Sequence, residues 1–202
     1  MTQIGSSTEL EDLHRFAALQ HNYVLSQRSE APETFNEVVS GEGDIDWGLG
    51  RGVRIRTQNG GSAKLQEVYH RRGRVEKVFH FSWGTSGEIT GESAMVGLLD
   101  EDDDGAVGVD LITGEYFANN ERKTTDISEG FAGSDEREKS LWIIHSRVED
   151  ETRFYFTTDG ERESVVFPAS ASTGGEDLVY IEDIDNEIQL RTYSHGHIWP
   201  GE

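Results

Sequence analysis

Three groups of side chains have types and spacings suited to chemistry. The first is the tract Asp100-Glu-Asp-Asp-Asp104-Gly105. Asp100, Asp102, Asp104, Gly105 and Val107 match positions 1, 3, 5, 6 and 8 of a calcium loop whose oxygens would surround a hard cation. The twelfth position is Leu111 rather than Glu, and the flanks read as strands rather than helices. A solvated hairpin tip is therefore expected, with no metal. The second group is basic. Residues 51 to 77 hold Arg51, Arg54, Arg56, Lys64, Arg71, Arg72, Arg74 and Lys77 against only Glu67 and Glu76. Arg54 and Arg56 alternate with Val53 and Ile55, so they share one strand face. A guanidinium grips carboxylate or phosphate with two parallel hydrogen bonds. The island is either an anchor for an anionic small molecule or an outer face paired with acidic neighbours. The third group is histidine. His195-Gly-His197 sets two imidazoles on one strand face, a metal pair only if His145 or a carboxylate joins it. His80 lies among aromatics. It is the best general acid or base if it faces a cavity, and a structural histidine otherwise. His14 and His21 stand seven apart, on one face of an expected helix. No nucleophile elbow, phosphate loop, dinucleotide fingerprint or zincin motif is present. Gly41-Glu-Gly43 and Gly48-Leu-Gly50 are only fragments of glycine loops.

The elements that would position these groups read mostly as strands. Thr8-Glu-Leu-Glu11 has capping-box spacing, and Leu10, Leu13, Phe16, Ala17 and Val24 follow at helical intervals. A helix is expected over about 8–27, and a weaker helical piece from Glu30 to Val39. From residue 53 to about 194 the pattern alternates in strand fashion. In Val75–Trp83, Phe79, Phe81 and Trp83 share one face, and Val78, His80 and Ser82 the other. Runs at Glu88–Leu99 and Val107–Phe117 continue it, flanking the acidic tract. Asn59-Gly60, Asp159-Gly160 and Asp185-Asn186 each separate two such runs and read as hairpin turns. Arg71-Arg-Gly73 and Glu149-Asp-Glu151 mark two further reversals. Short strands joined by tight turns argue for an antiparallel sandwich or barrel. Sequential hairpins favour an up-and-down meander over a Greek key, and a helix able to plug one end favours a barrel over a jelly roll. The expected fold is an all-β, lipocalin-like (calycin) barrel with an N-terminal α-helix, as a single domain over 1–202.

Composition bounds the rest. The chain has 202 residues, 34% of them apolar, and no cysteine. Disulfides, zinc–thiolate sites and a thiol nucleophile are excluded. No apolar run is long enough to span a membrane as a helix. The first residues lack the basic and apolar regions of a signal peptide. A soluble, cytoplasmic protein is expected. The formal charge of −21 repels phosphate backbones, which argues against nucleic acid. Among the 18 basic residues only Lys64, Lys77, Lys123 and Lys139 are lysine. Excess carboxylate with scarce lysine suits either adaptation to high salt or an arginine-rich genome.

Tyr23-Val-Leu-Ser26-Gln27-Arg28-Ser29, placed after the expected helix, resembles the Trp-x-Ser-Gln-Arg-Thr/Ser strand of the S-type phycobiliprotein lyases. Ser82-Trp83-Gly84-Thr85 and Leu141-Trp142-Ile143 are similar to two other short segments of that family. Tyr23 departs from its usual Trp, Ser82–Thr85 lacks its acidic residue, and fewer than twenty residues are covered. The resemblance implies a helix-led lipocalin-like barrel, with Arg28 and the basic island holding acidic groups of a ligand.

These observations lead to a barrel binding a small, largely apolar molecule that carries an acidic group. Phe79, Phe81, Trp83, Trp142, Phe154 and Phe156, or the opposite faces of their strands, would line its cavity. Arg28, Arg54 and Arg56 would hold its anionic group. The competing classes are a barrel isomerase, cyclase or lyase using His80, and a non-catalytic interaction protein with a filled core. The sequence names no cofactor and no oligomeric state.

Overall fold

The structure is a computed structural model and describes residues 19–67, 76–99, 107–127, 131, 138–146, 150–158, 161–168 and 176–198. Fifteen strands and one short 3-10 turn, Leu25–Gln27, make up the regular elements among them. The strands are β1 (Leu19–Val24), β2 (Phe35–Ser40), β3 (Asp44–Gly48), β4 (Gly52–Arg56), β5 (Ser62–Glu67), β6 (Glu76–Thr85), β7 (Gly91–Leu99), β8 (Val107–Asp110), β9 (Glu115–Ala118), β10 (Glu121–Lys123), β11 (Lys139–Ser146), β12 (Glu151–Thr158), β13 (Glu161–Phe167), β14 (Asp177–Ile184) and β15 (Glu187–Ile198). They form two antiparallel sheets. The first runs β13-β12-β11-β6-β15-β4-β3, with β1 also paired to β15; the second runs β10-β9-β8-β7-β14-β5-β2.

Strand alternation supplies one apolar face per sheet, and the two faces close on each other. In β12, Thr152, Phe154, Phe156 and Thr158 are buried while Glu151, Arg153, Tyr155 and Thr157 are half-exposed. In β6 the inward residues are Phe79, Phe81 and Trp83, and across the ladder Phe81 meets Leu141 and Phe79 meets Ile143. From the second sheet come Ala63, Leu65, Val96, Leu98, Val109, Tyr116, Val179 and Ile181, all within the same cluster. Tyr116 packs edge-on against Phe154 at 5.3 Å and against Phe131 at 4.9 Å, and Phe131 meets Phe156 at 4.7 Å. These rings tie one sheet to the other. Each fully buried Phe contributes roughly 1.5–3 kcal/mol.

Several expectations are corrected here. Among the described residues no barrel closes: the two sheets face each other across a filled core. Leu19–Val24 is a strand and Leu25–Gln27 a 3-10 turn, where an α-helix was expected. Antiparallel pairing of β1 with β15 overrides the helical spacing there. The first part of that helix, through residue 18, lies outside the described residues. Phe35–Ser40 is likewise a strand, paired with β5, not the second helical piece. The resemblance at Tyr23–Ser29 therefore fails in its local structure as well as in its barrel.

The hairpin assignments divide. β11, β12 and β13 are successive hairpins, as the Glu149-Asp-Glu151 and Asp159-Gly160 signals predicted. β7, β8 and β9 form a meander within one sheet, with Val107–Phe117 broken by a turn at 111–114. Asn59-Gly60 and Asp185-Asn186 instead carry the chain from one sheet to the other. β4 pairs with β15 and β3, whereas β5 pairs with β14 and β2. The β6–β7 and β2–β3 connections cross in the same way.

Candidate functional site

Three of these crossings, 57–61, 86–90 and 185–186, build a pocket together with the ends of β4, β14 and β15. Its volume is about 570 Å³, and it is lined by Arg56, Thr57, Gln58, Asn59, Ser86, Asp183, Ile184, Asp185, Asn186 and Glu187. Local sequence explains why the chain turns so sharply there. Asn59, Asp183 and Asn186 have φ of 48°, 43° and 68°, three of the five described non-glycine residues in the left-handed region. Asn and Asp tolerate that region because their short polar side chains bond locally. Two glycines let the corners touch. At Gly91, φ is +140° and a Cβ would lie 2.2 Å from the Asp183 carbonyl oxygen. At Gly61 a Cβ would lie 2.6 Å from the backbone of Glu42 in the β2–β3 crossing.

Hydrogen bonds then fix the lining. The Gly60 N–H donates to Asp183 Oδ1 at 2.7 Å, and the Asp183 N–H to the Gly61 carbonyl at 3.0 Å. Thr90 Oγ1 donates to Asp185 Oδ2 at 3.0 Å, and Gln189 Nε2 to Glu187 Oε1 at 2.7 Å. Asn59 Nδ2 donates to Glu42 Oε2 at 2.7 Å, and Asn186 Nδ2 to the Glu88 carbonyl at 2.8 Å. The Glu187 N–H is accepted by Ser86 Oγ at 3.1 Å. The Ile184 N–H is accepted by the buried Thr57 Oγ1 at 2.8 Å. The result is a polar, pre-ordered concavity with no aromatic side chain in its lining.

The residues singled out from sequence lie mostly elsewhere. Phe79, Phe81, Trp83, Phe154 and Phe156 are buried in the core between the sheets. Trp142 is half-buried on the opposite, outer face of the first sheet, stacked on His80 at 4.2 Å. His80 Nε2 lies 2.9 Å from Ser140 Oγ. Burial lowers the imidazole pKa to about 4, partly offset by nearby Glu138, so the ring is neutral at neutral pH. Arg54 pairs with Asp46 and Arg56 with Asp44 (2.6 Å) across the β3–β4 ladder. Arg56 also touches the pocket. Arg28 is exposed where the 3-10 turn ends. Lys64 pairs with Asp177 at 3.1 Å.

His195 is buried between the sheets, with Nε2 3.3 Å from Glu67 Oε1, and His145 is buried as well. Among the described residues no group of three or more His, Asp or Glu is placed to hold a metal. The Asp100–Gly105 tract, Arg71, Arg72, Arg74 and His14 lie outside the described residues. Among the pocket residues, Asn59, Asp185 and Asn186 belong to dipeptides that read from sequence as hairpin turns, and Asp183 falls within a strand run. Those turn signals were the available clue, since polar left-handed corners that converge make a site.

No family model matches the chain, and no curated protein matches its sequence. Solved structures do share its fold. The exoplasmic/lumenal domain of VIP36 in its Ca2+/Man3GlcNAc-bound form matches with a TM-score of 0.61 at 9% identity, covering 91% of this chain and 92% of that one. Peanut lectin with a bound 9mer peptide matches at 0.58 and 10% identity, over 86% and 94%. Arcelin-5, a lectin-like defense protein from Phaseolus vulgaris, matches at 0.54 and 8% identity, over 86% and 96%. These likenesses overturn the lipocalin and phycobiliprotein-lyase resemblance. With the barrel goes the expectation of an apolar cavity holding a small hydrophobic anion. The chain has the two-sheet fold of the lectin-like β-sandwiches.

Proposed function

We propose that the chain binds carbohydrate in the corner pocket. The carrying observation is the convergence of Asp183, Asp185, Glu187, Asn59 and Asn186 on one concavity, each already clamped by a protein hydrogen bond. Sugar hydroxyls both donate and accept, and fixed carboxylate and amide oxygens suit them without reorganisation. A clamped side chain loses little freedom on binding, which lowers the cost of association. The fold likeness to VIP36 in its Man3GlcNAc-bound form brings sugars into consideration; the pocket chemistry argues for them here. Because no aromatic ring lines the site, recognition rests on hydrogen bonds. Monosaccharide affinity is expected to be weak, with Kd on the order of 1 mM.

The test is a glycan array followed by saturation-transfer NMR on its strongest ligands. The comparison variant is Asn59→Gly with Asn186→Gly, which keeps both left-handed turns and deletes both amides. Binding by the parent and loss in the variant, with the melting midpoint held, supports the proposal. Binding that ignores the double change, or no glycan bound at all, overturns it.

A further inference from the structure

We infer that this pocket selects by charge, taking neutral or amine-bearing sugars and rejecting acidic ones; the inference rests on the carbohydrate reading above. Three carboxylates line the pocket, and each spends one oxygen on an internal donor. Asp183 Oδ1 takes the Gly60 N–H, Asp185 Oδ2 the Thr90 hydroxyl, and Glu187 Oε1 the Gln189 amide. Their second oxygens, Asp183 Oδ2, Asp185 Oδ1 and Glu187 Oε2, have no hydrogen-bond partner among the described residues. The amides of Asn59 and Asn186 spend a nitrogen on Glu42 and on the Glu88 carbonyl. Their oxygens are likewise unspent.

The one cationic side chain in the lining, Arg56, is held by Asp44 through both Nε, at 2.8 Å, and Nη2, at 2.6 Å. Its remaining guanidinium N–H groups, with the uncharged Gln58 amide, are the donors left over. The lining thus holds three carboxylates against one guanidinium that is itself paired with Asp44, so its charge balance is negative.

A hydroxyl or an ammonium group donates to those oxygens. The carboxylate of a uronic acid or other acidic sugar has no proton to give there at neutral pH and meets like charge at short range. The protein's overall charge of −21 has the same sign. It acts over longer distances, and salt near 0.1 M screens it beyond about 10 Å. Local and global effects can therefore be separated by experiment.

The probes are glucose, galactose and mannose, each as the neutral methyl glycoside, the amino sugar and the uronic acid. Calorimetric titration of the full chain is run in about 0.1 M salt. In the series that binds, the amino sugar should bind at least as tightly as the neutral glycoside. It should bind roughly tenfold or more tighter than the uronic acid, since hydrogen bonds to charged groups are the stronger kind.

Asp185→Asn with Glu187→Gln is the informative variant. Each amide keeps an oxygen for Thr90 or Gln189 and replaces the unspent oxygen by an N–H donor. The uronic acid should gain affinity until the gap closes to about twofold or less. Either single change should close part of the gap, which covers the case of a double variant that melts early. Glu121→Gln with Glu161→Gln removes the same charge on strands outside the pocket and should leave the gap intact. A uronic acid that binds the parent as tightly as the amino sugar overturns the inference alone. So does a control pair that closes the gap as far as the pocket pair. Failure of all nine probes to bind overturns the carbohydrate reading itself, and this inference with it.

Discussion

Gly60 and Asp183 are 123 positions apart, yet the Gly60 N–H donates to Asp183 Oδ1 at 2.7 Å. The Asp183 N–H returns a bond to the Gly61 carbonyl at 3.0 Å. This reciprocal pair latches the β4–β5 corner to the end of β14, and Asp183 is at once latch and pocket wall. Asp183→Ala removes the side-chain bond and puts a methyl-bearing residue at a φ of 43°. The combined cost is about 2 kcal/mol. The melting midpoint should fall by roughly 4–8 °C, and sugar binding should go with it. Asp183→Asn keeps the acceptor oxygen and should melt close to the parent. Thermal denaturation of the two variants side by side checks this, and equal midpoints would refute the latch.

A buried bond joins the sheets at the other end of β5. Glu67 is fully buried, and its Oε2 accepts the Tyr193 hydroxyl at 2.8 Å while Oε1 lies 3.3 Å from His195 Nε2. Deleting one partner of a buried polar set strands the others away from water. Glu67→Ala should therefore destabilise by about 3 kcal/mol or more, while Glu67→Gln, which can still accept from Tyr193, should cost less. Urea unfolding separates these outcomes. Equal losses in the two variants would show that the acceptor oxygen is not what matters there.

His80 predicts a dependence on pH. Its folded pKa is lowered to about 4 by burial, against 6.5 for a free imidazole. As pH falls through 6.5 the unfolded chain takes up the proton first, so stability declines between about 6.5 and 4. Above that window the contribution is complete. His80→Gln should flatten this part of the stability profile relative to the parent, whose carboxylates titrate in both proteins. Chemical denaturation at stepped pH measures the difference. Parallel profiles would remove His80 from the account of acid sensitivity.

Salt should stabilise the protein. The chain carries 39 acidic residues against 18 basic ones, and the compact state concentrates that excess. Raising the ionic strength shortens the screening length from about 10 Å at 0.1 M to 3 Å at 1 M. Melting followed by circular dichroism should shift upward over that range of KCl. A flat response would mean that local pairs such as Arg56–Asp44 already neutralise the excess where it is dense.

Alternation in β6 and β12 determined from sequence that these runs are strands, with Phe79, Phe81 and Trp83 on one face. That this face and that of Phe154 and Phe156 turn inward was decided by the tertiary structure. Turn chemistry located the reversals at Asn59-Gly60, Asp159-Gly160 and Asp185-Asn186, and composition set the acidic surface. The tertiary structure alone decided what each reversal joins. Asp159-Gly160 links neighbours in one sheet, whereas Asp185-Asn186 links a strand paired to β5 and β7 with one paired to β6 and β4. A left-handed Asn or Asp bends the backbone equally well in either setting, and a strand with one apolar face suits a barrel or a sandwich alike. Pairing was settled by contacts over a hundred residues apart, such as Tyr180 opposite Lys64 and Ile188 opposite Ile55. The pocket exists only because those distant pairings bring several polar corners to the same end of the sandwich.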